Sequence, residues 1–309
     1  MNESEARRQF FLELLENGHF LSTGVQGVYG RGAEFEDAGM RLMRVIDGPS
    51  DADGAERVHF PPIMSRAVFE RTGYMETMPH LGGCIHSFGG DDAEHQELVA
   101  RITRGDPWDS FLELTDVTLT PAACYPIYPM CGSQDGGELP GDGRLFDLLS
   151  WIFRNEPSDD PARLQNFRQR EMVRLGTPDQ VLEWRRTWME RGVEILTSLQ
   201  LDVNLVTAHD PFFGRGGRML KVNQQAFELK FEIQTPICSE ENPTAITSFN
   251  YHESHFGELF GITTSTGDVA HTACLGFGFE RITLALFKKH GLRVHQWPRQ
   301  VRKVLGYDS

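Results

Sequence analysis

Residues 228–237, ELKFEIQTPI, alternate Leu229, Phe231 and Ile233 with Lys230, Glu232 and Gln234. Successive side chains of a strand point to opposite faces, so this stretch predicts a β-strand with one apolar and one polar face. TAITSFN (244–250) reads as a second strand, and FLELTDVTL (111–119) as a third with two unlike faces. VAHTACLGFGFERITLALFKKHG (269–291) reads as strand, glycine turn, then helix. Strands precede helices irregularly and no βαβ rhythm appears. The expected fold class is therefore α+β with an antiparallel sheet, not a doubly wound parallel sheet.

Helical patterns fill the intervals. Residues 4–17 place Phe10, Phe11, Leu14 and Leu15 on one face, with Gly18 as the stop. Further helices are expected over about 35–46 and 93–103. Thr177 can cap, Pro178 fits the first helical position and Gln180 completes a capping box. Val181, Trp184, Trp188, Ile195 and Leu199 then recur at helical spacing, a stripe read as core packing. Polar, glycine-rich stretches at 48–56 and 132–143 read as surface loops. The expected organisation is one domain over 1–309 with an inserted helical segment at about 177–227.

Composition narrows the function classes. Asp and Glu number 44 against 30 Lys and Arg, a formal net charge of −14, which argues against a broad nucleic-acid surface. No apolar run is long enough to span a bilayer, and the start, MNESEARRQFFLELL, lacks the features of a secretory signal. The five cysteines, an odd number, fit reduced thiols in the cytoplasm, some of them available to a metal.

FRNEPSDDPARLQNFRQRE (153–171) gathers four arginines and a second Phe around one turn. If 154–156 is strand, Arg154 and Glu156 share a face. A guanidinium there can grip a phosphate or carboxylate bidentately, and a Glu can accept from an adenine amino group. Folding back of 157–166 would bring Phe167 over the pair, where it can stack on a base. The alternative is a structural cross-strand ion pair. GFGFERITLAL (276–286) sets glycines before a helix whose first turn holds Arg281, a combination suited to phosphate. Alone, it could equally be a helix start with an exposed Arg. A third piece, VHFPPIMSRAVFERTGYM (58–75), follows a helix and enters a strand ending at Pro61 and Pro62.

In that order the three pieces resemble motifs 1, 2 and 3 of class II aminoacyl-tRNA synthetases. PAACYP (121–126), FRQRE (167–171), SFNYHESHFG (248–257) and HTACLGFGFERI (271–282) are similar to the zinc-dependent atypical seryl-tRNA synthetases of methanogens. They are more similar still to the amino acid:[carrier protein] ligases. The resemblance spans about 58–300. It implies an antiparallel sheet flanked by helices. By match, Arg154 would contact the ATP α-phosphate and the substrate carboxylate, Glu156 would read adenine, Phe167 would stack on it, and Arg281 would meet the γ-phosphate. Cys124, Glu171 and Cys274 would hold one zinc per chain, leaving a fourth position for the substrate α-amino group. Cys131 competes with Cys124; AACYP matches the family, whereas Cys131 borders a glycine-rich loop. Ala245 stands where seryl-type relatives carry a magnesium-binding Glu, which leaves Glu232 as the surviving acid. Ser248, Asn250 and His252 would line the substrate pocket, or simply form a hydrogen-bonded turn.

About sixty residues precede Pro61 and about 28 follow Arg281, so no tRNA-binding domain is expected. The resemblance then implies ATP-dependent activation of a small amino acid, glycine or alanine, to an adenylate. Transfer to the phosphopantetheine thiol of a carrier protein would follow. A minimal seryl-type synthetase acting on tRNA is the alternative, and a non-catalytic regulator the third reading; retention of Arg154, Glu156 and Arg281 speaks against the last. Motif 1 implies a homodimer. Carrier proteins are generally acidic, so docking on this acidic chain needs a local positive patch. DPFFGRGGRMLKVNQQAF (210–227), read as a helix from about Gly214, puts Arg215, Arg218, Met219 and Val222 on one side. An ordinary solvated basic face is the other reading of that segment.

Overall fold

The computed structural model describes residues 2–308, except for the side chain of Arg215. Seven strands form the main sheet. They are β3 (Glu56–Val58), β7 (Arg144–Phe153), β8 (Asn166–Gly176), β9 (Asn204–Thr207), β10 (Lys230–Thr235), β11 (Thr244–Glu253) and β12 (His271–Gly278). Their order is β3-β7-β8-β12-β11-β10-β9. Every neighbouring pair is antiparallel except β3 with β7. Smaller sheets are β1 (Phe20–Val25) with β2 (Val28–Arg31), and β4 (Ile63–Ser65), β6 (Leu112–Leu119) and β5 (Cys84–Phe88) in that order.

The helices are α1 (Glu3–Glu16), α2 (Ala33–Ala52), α3 (Arg66–Arg71), α4 (Tyr74–Thr77), α5 (Asp92–Arg104) and α6 (Ile127–Ser133), then α7 (Pro178–Ser198), α8 (Gly214–Ala226), α9 (His255–Phe260), α10 (Phe279–His290) and α11 (Arg299–Val304). The capping box at Thr177 and Gln180 starts α7, and Trp188 is fully buried, as the stripe predicts. α7 lies on the sheet face opposite Ser248 and Asn250. Gly192 makes that approach feasible, because a Cβ there would fall 2.9 Å from the Phe249 ring. α10 is buried along its middle, from Ile282 to Phe287, and packs on β8, β11, β12 and α2. None of the described helices is long and apolar enough to cross a membrane.

Several expectations change. α2 runs on through 48–52, taking Pro49 inside the helix, where a surface loop was expected. Ser50 is buried there and donates to Asp147 at 2.8 Å, which ties the last turn to β7. Gly276 and Gly278 do not form a turn: β12 runs through them and α10 follows directly. β7 ends at Phe153, so Arg154 and Glu156 lie beyond the strand and no pleat aligns them. The segment 177–227 is helical at both ends, but α7 packs on the sheet and β9 extends it; only α8 stands off.

Candidate active site

A cavity of about 200 Å³ opens over the face of the main sheet that carries Glu171, Glu232, Ser248, Asn250 and Cys274. Arg154, Phe167, Arg281 and His252 also line it. Strand register creates the arrangement. Cys274 pairs with Val173 and Gly276 with Glu171 across β12 and β8, so Cys274 and Glu171 are diagonal neighbours on one face. Gly276 leaves the carboxylate its room: a Cβ would lie 2.8 Å from Gln169 Nε2 and 3.4 Å from Glu171 Oε1. Asn250 pairs with Cys274 across β11 and β12. His252 occupies a bulge between Tyr251 and Glu253, and Glu253 takes φ 51°. Bulges re-aim side chains next to sites of this kind.

At one end, ligand atoms of Cys124, Glu171 and Cys274 lie within 4.8 Å of one another, all buried. Cys124 precedes α6, and its backbone N–H donates to Glu171 Oε2. Asn250 Nδ2 donates to Cys274 Sγ at 3.4 Å, and His252 Nε2 lies 3.6 Å from the same sulfur. The Cys274 thiol is held well below its usual range by hydrogen bonding from Cys124, with His252 and Asn250 adding to it. Cys124 rises well above that range because its proton bridges to Cys274, and burial and Glu171 add to the rise. Burial, then the charge of Cys274, pushes Glu171 up to about 8. Two sulfurs and a carboxylate sharing protons in so small a volume match the donor set of a zinc with three protein ligands. Cys131 is buried on α6 and is not part of the cluster.

At the other end sit two guanidinium groups. Arg154 Nε donates to the Pro121 carbonyl at 3.1 Å. Arg281 donates to the carbonyls of Ala162 at 2.9 Å and Ala245 at 3.0 Å. Among the described residues neither has a carboxylate within ion-pair distance. Both lie by the Phe167 ring, at 5.7 and 6.0 Å from its centre. Burial, then the nearby Arg163 and Arg154, lowers the pKa of Arg281. Two cations with no carboxylate in direct contact among the described residues, set beside an aromatic ring, are suited to an anionic, base-bearing ligand. Glu156 is ion-paired with Arg163 at 3.3 Å and lies outside the cavity lining. Glu232 lines the cavity and is 3.3 Å from Lys230.

Some cavity groups were not singled out from sequence. Lys230 Nζ bonds Asp210, and Gln224 of α8 bonds the same carboxylate at 2.9 Å. Burial alone would raise the pKa of Asp210, but Lys230, Gln224 and Arg154 together hold it down to about 2. The polar face of β10 pointed to Lys230; Asp210 and Gln224 carry no local pattern. On α8, Met219 is 71% and Val222 63% exposed, and Arg218 is exposed beside them. The Arg215 side chain lies outside the described residues.

No protein-family model matches the chain. Amino acid--[acyl-carrier-protein] ligase 1 of Bradyrhizobium diazoefficiens is 44% identical to it over 295 residues, covering 96% of this chain and 90% of that one. Among solved structures, M. kandleri SerRS in complex with A. aeolicus tRNASec superposes with a TM-score of 0.80 at 18% identity, over 99% of this chain and 60% of that one. Seryl-tRNA synthetase from Pyrococcus horikoshii complexed with ATP superposes with a TM-score of 0.68 at 16% identity, over 96% and 62%. These two likenesses establish the class II synthetase fold.

Proposed function

The chain belongs to the amino acid–[acyl-carrier-protein] ligases, and we propose that it activates glycine or alanine with ATP and passes it to the phosphopantetheine thiol of an acidic carrier protein. In the first step a carboxylate oxygen of the amino acid attacks the α-phosphorus and pyrophosphate leaves. In the second the thiol sulfur attacks the acyl carbon, AMP leaves with its bond electrons, and the thiol gives up its proton. The observation that carries this reading is the pairing, in one cavity, of the Cys124, Glu171 and Cys274 cluster with Arg154 and Arg281, which make no direct ion pair among the described residues.

The residues divide the work by charge. Carboxylate and triphosphate repel, and Arg154 and Arg281 offset that repulsion as they are brought together. Phe167 would stack the adenine, Glu156 would read its amino group once released from Arg163, and Glu232 would be the acid available to a magnesium that accompanies the phosphates. Cys124, Glu171 and Cys274 would hold a zinc, which would supply a Lewis-acidic position for the unprotonated substrate amine. Ser248, Asn250 and His252 border the amino acid. Tyr74, Tyr125 and Phe256 also line the cavity, and Tyr125 contacts both other rings, with centroids 6.0 and 6.1 Å away. This aromatic wall leaves room for a small side chain.

The exposed apolar and basic face of α8 supports carrier docking there, with Arg215, Arg218, Met219 and Val222 as the contacts. α2 and β3 form the motif 1 unit of a homodimer, and the whole is one catalytic domain working in the cytoplasm. The test is ATP–pyrophosphate exchange across the twenty amino acids, followed by mass measurement of carrier and of tRNA after incubation. Exchange with glycine or alanine and a mass gain on the carrier are expected. Charging of tRNA without carrier loading overturns the proposal.

A further inference from the structure

The turn of the β1–β2 hairpin meets the loop 154–165, which leads from β7 to β8 along the Arg154 and Arg281 end of the cavity. Three hydrogen bonds join them. The Gln165 backbone N–H donates to the Gly27 carbonyl at 2.8 Å. Gln165 Nε2 donates to the Gln26 carbonyl at 2.8 Å, and Gln26 Nε2 donates to Asp159 at 2.6 Å. Gly27 is buried in this contact at φ 77°, and a Cβ there would lie 3.1 Å from Gln165 Cγ and 3.3 Å from its backbone nitrogen. Two anchors flank the turn. Arg31 of β2 donates to the Asn166 carbonyl at 2.7 Å, and Arg7 of α1 lies 3.4 Å from the buried Asp160 carboxylate.

A two-stranded hairpin alone is marginally stable in water, and β1 is exposed beyond Phe20. Its base is nonetheless fixed. Phe20 packs on Phe35 of α2 with centroids 5.6 Å apart, and Tyr29 on Phe11 of α1 at 5.0 Å. The turn thus ties a rooted base to a stretch that has neither helix nor strand. That stretch holds the groups around the two cations. The Gln165 carbonyl accepts from the Arg154 backbone N–H at 2.9 Å, and the Ala162 carbonyl from Arg281 Nε at 2.9 Å. Arg163 is paired with Glu156, and Phe167 follows two residues after Gln165. Ordering a free loop at the moment of binding subtracts from affinity, and a loop already held from outside escapes that loss. Resting on the reading of this end as the ATP site, we propose that Gln26 and Gly27 are positioning residues for ATP. The hairpin turn braces loop 154–165, and through it the arrangement of Arg154, Phe167 and Arg281 that grips the nucleotide. At the other end of the cavity Glu171, Asn250 and Cys274 stand on strands paired along their length and need no such brace.

The test compares the full chain with two variants. One combines Gln26→Ala with Gln165→Met, which removes both side-chain bonds; the other is Gly27→Ala, which crowds the turn against Gln165. ATP affinity is measured by calorimetry without amino acid, and the KM for amino acid in ATP–pyrophosphate exchange. Trypsin cleavage after the exposed Arg163 is followed by mass. Each variant should bind ATP about three- to tenfold more weakly, with its KM for amino acid and its melting temperature close to the parent's. Cleavage after Arg163 should be faster in the variants and should return to the parent's rate at saturating ATP. Unchanged ATP affinity in both variants overturns the proposal. So does equal weakening toward ATP and amino acid together with a fall in melting temperature, which assigns the hairpin to fold stability. If the parent itself binds no ATP, the nucleotide reading fails and this role falls with it, a result visible in the parent alone.

Discussion

Replacing Arg281 with alanine should cripple amino acid activation while leaving the fold nearly as stable. Among the described residues the guanidinium gives its hydrogen bonds only to the Ala162 and Ala245 carbonyls, at 2.9 and 3.0 Å. Bonds from a charged donor are worth about 1.5–3 kcal/mol each in favourable cases. Against them stand burial of the charge and the nearness of Arg163 and Arg154, which lower its pKa. Losing a charge held among like charges relieves repulsion and restores no buried counter-ion to water. The two sides nearly cancel, and a stability change within about 1 kcal/mol is expected in denaturant titration. Activation loses a contact to phosphate whose worth grows toward the transition state. One such donor typically contributes about 2.7–4 kcal/mol, or about 100- to 1,000-fold in rate. Arg154→Ala should lose activation alike; among the described residues its one side-chain hydrogen bond is to the Pro121 carbonyl. Lysine at 281 should not rescue, because two guanidinium nitrogens are already used to orient the group and an ammonium cannot copy that fork. The assay is ATP–pyrophosphate exchange at saturating amino acid, run beside urea unfolding. Exchange within a few-fold of the parent in both alanine variants would falsify the assignment. So would loss of exchange that tracks a loss of stability of several kcal/mol.

Three further outcomes follow from the same geometry. Cys274→Ala should carry little or no zinc by elemental analysis and should lose activation with it; undiminished zinc in that variant removes the site. Reversing charge at Arg215 and Arg218 should weaken transfer to the carrier about tenfold or more, while exchange stays within twofold, as expected for rim charges that steer encounter. Failure of both steps together would place α8 in the activation machinery. Light scattering at micromolar concentration should give about twice the 35.0 kDa chain mass; a monomer there rules out the motif 1 dimer.

Many residues of the candidate cavity were legible because they sit where local pattern is strong. The alternation around Lys230 and Glu232 gave a strand, and its polar face lines the cavity. Cys124, Glu171 and Cys274 lie in short segments recognisable as units, and pairing of β8 with β12 brings two of them onto one face. What failed was the geometry between elements. Glycine and proline at 48 and 49 read as breakers, yet α2 continues because Ser50 is anchored to Asp147 at its far end. Tertiary contact there outweighs local propensity.

Gly276 is the sharpest case. A glycine before a helix reads as a turn, since its backbone freedom is the property visible in sequence. Its φ is ordinary here; what matters is the missing side chain, which clears space for Gln169 and Glu171 on the neighbouring strand. The same limit hides Asp210 and Gln224. They are polar residues near a helix start and end. Their significance comes from partners outside their own elements: Asp210 meets Lys230 of β10, and Gln224 bonds the same carboxylate. Residues that touch a ligand recur in local patterns, because a charge or sulfur must stand at a set place on a strand. Residues that hold those groups in place can come from any element that reaches them, and only the folded chain brings them into view.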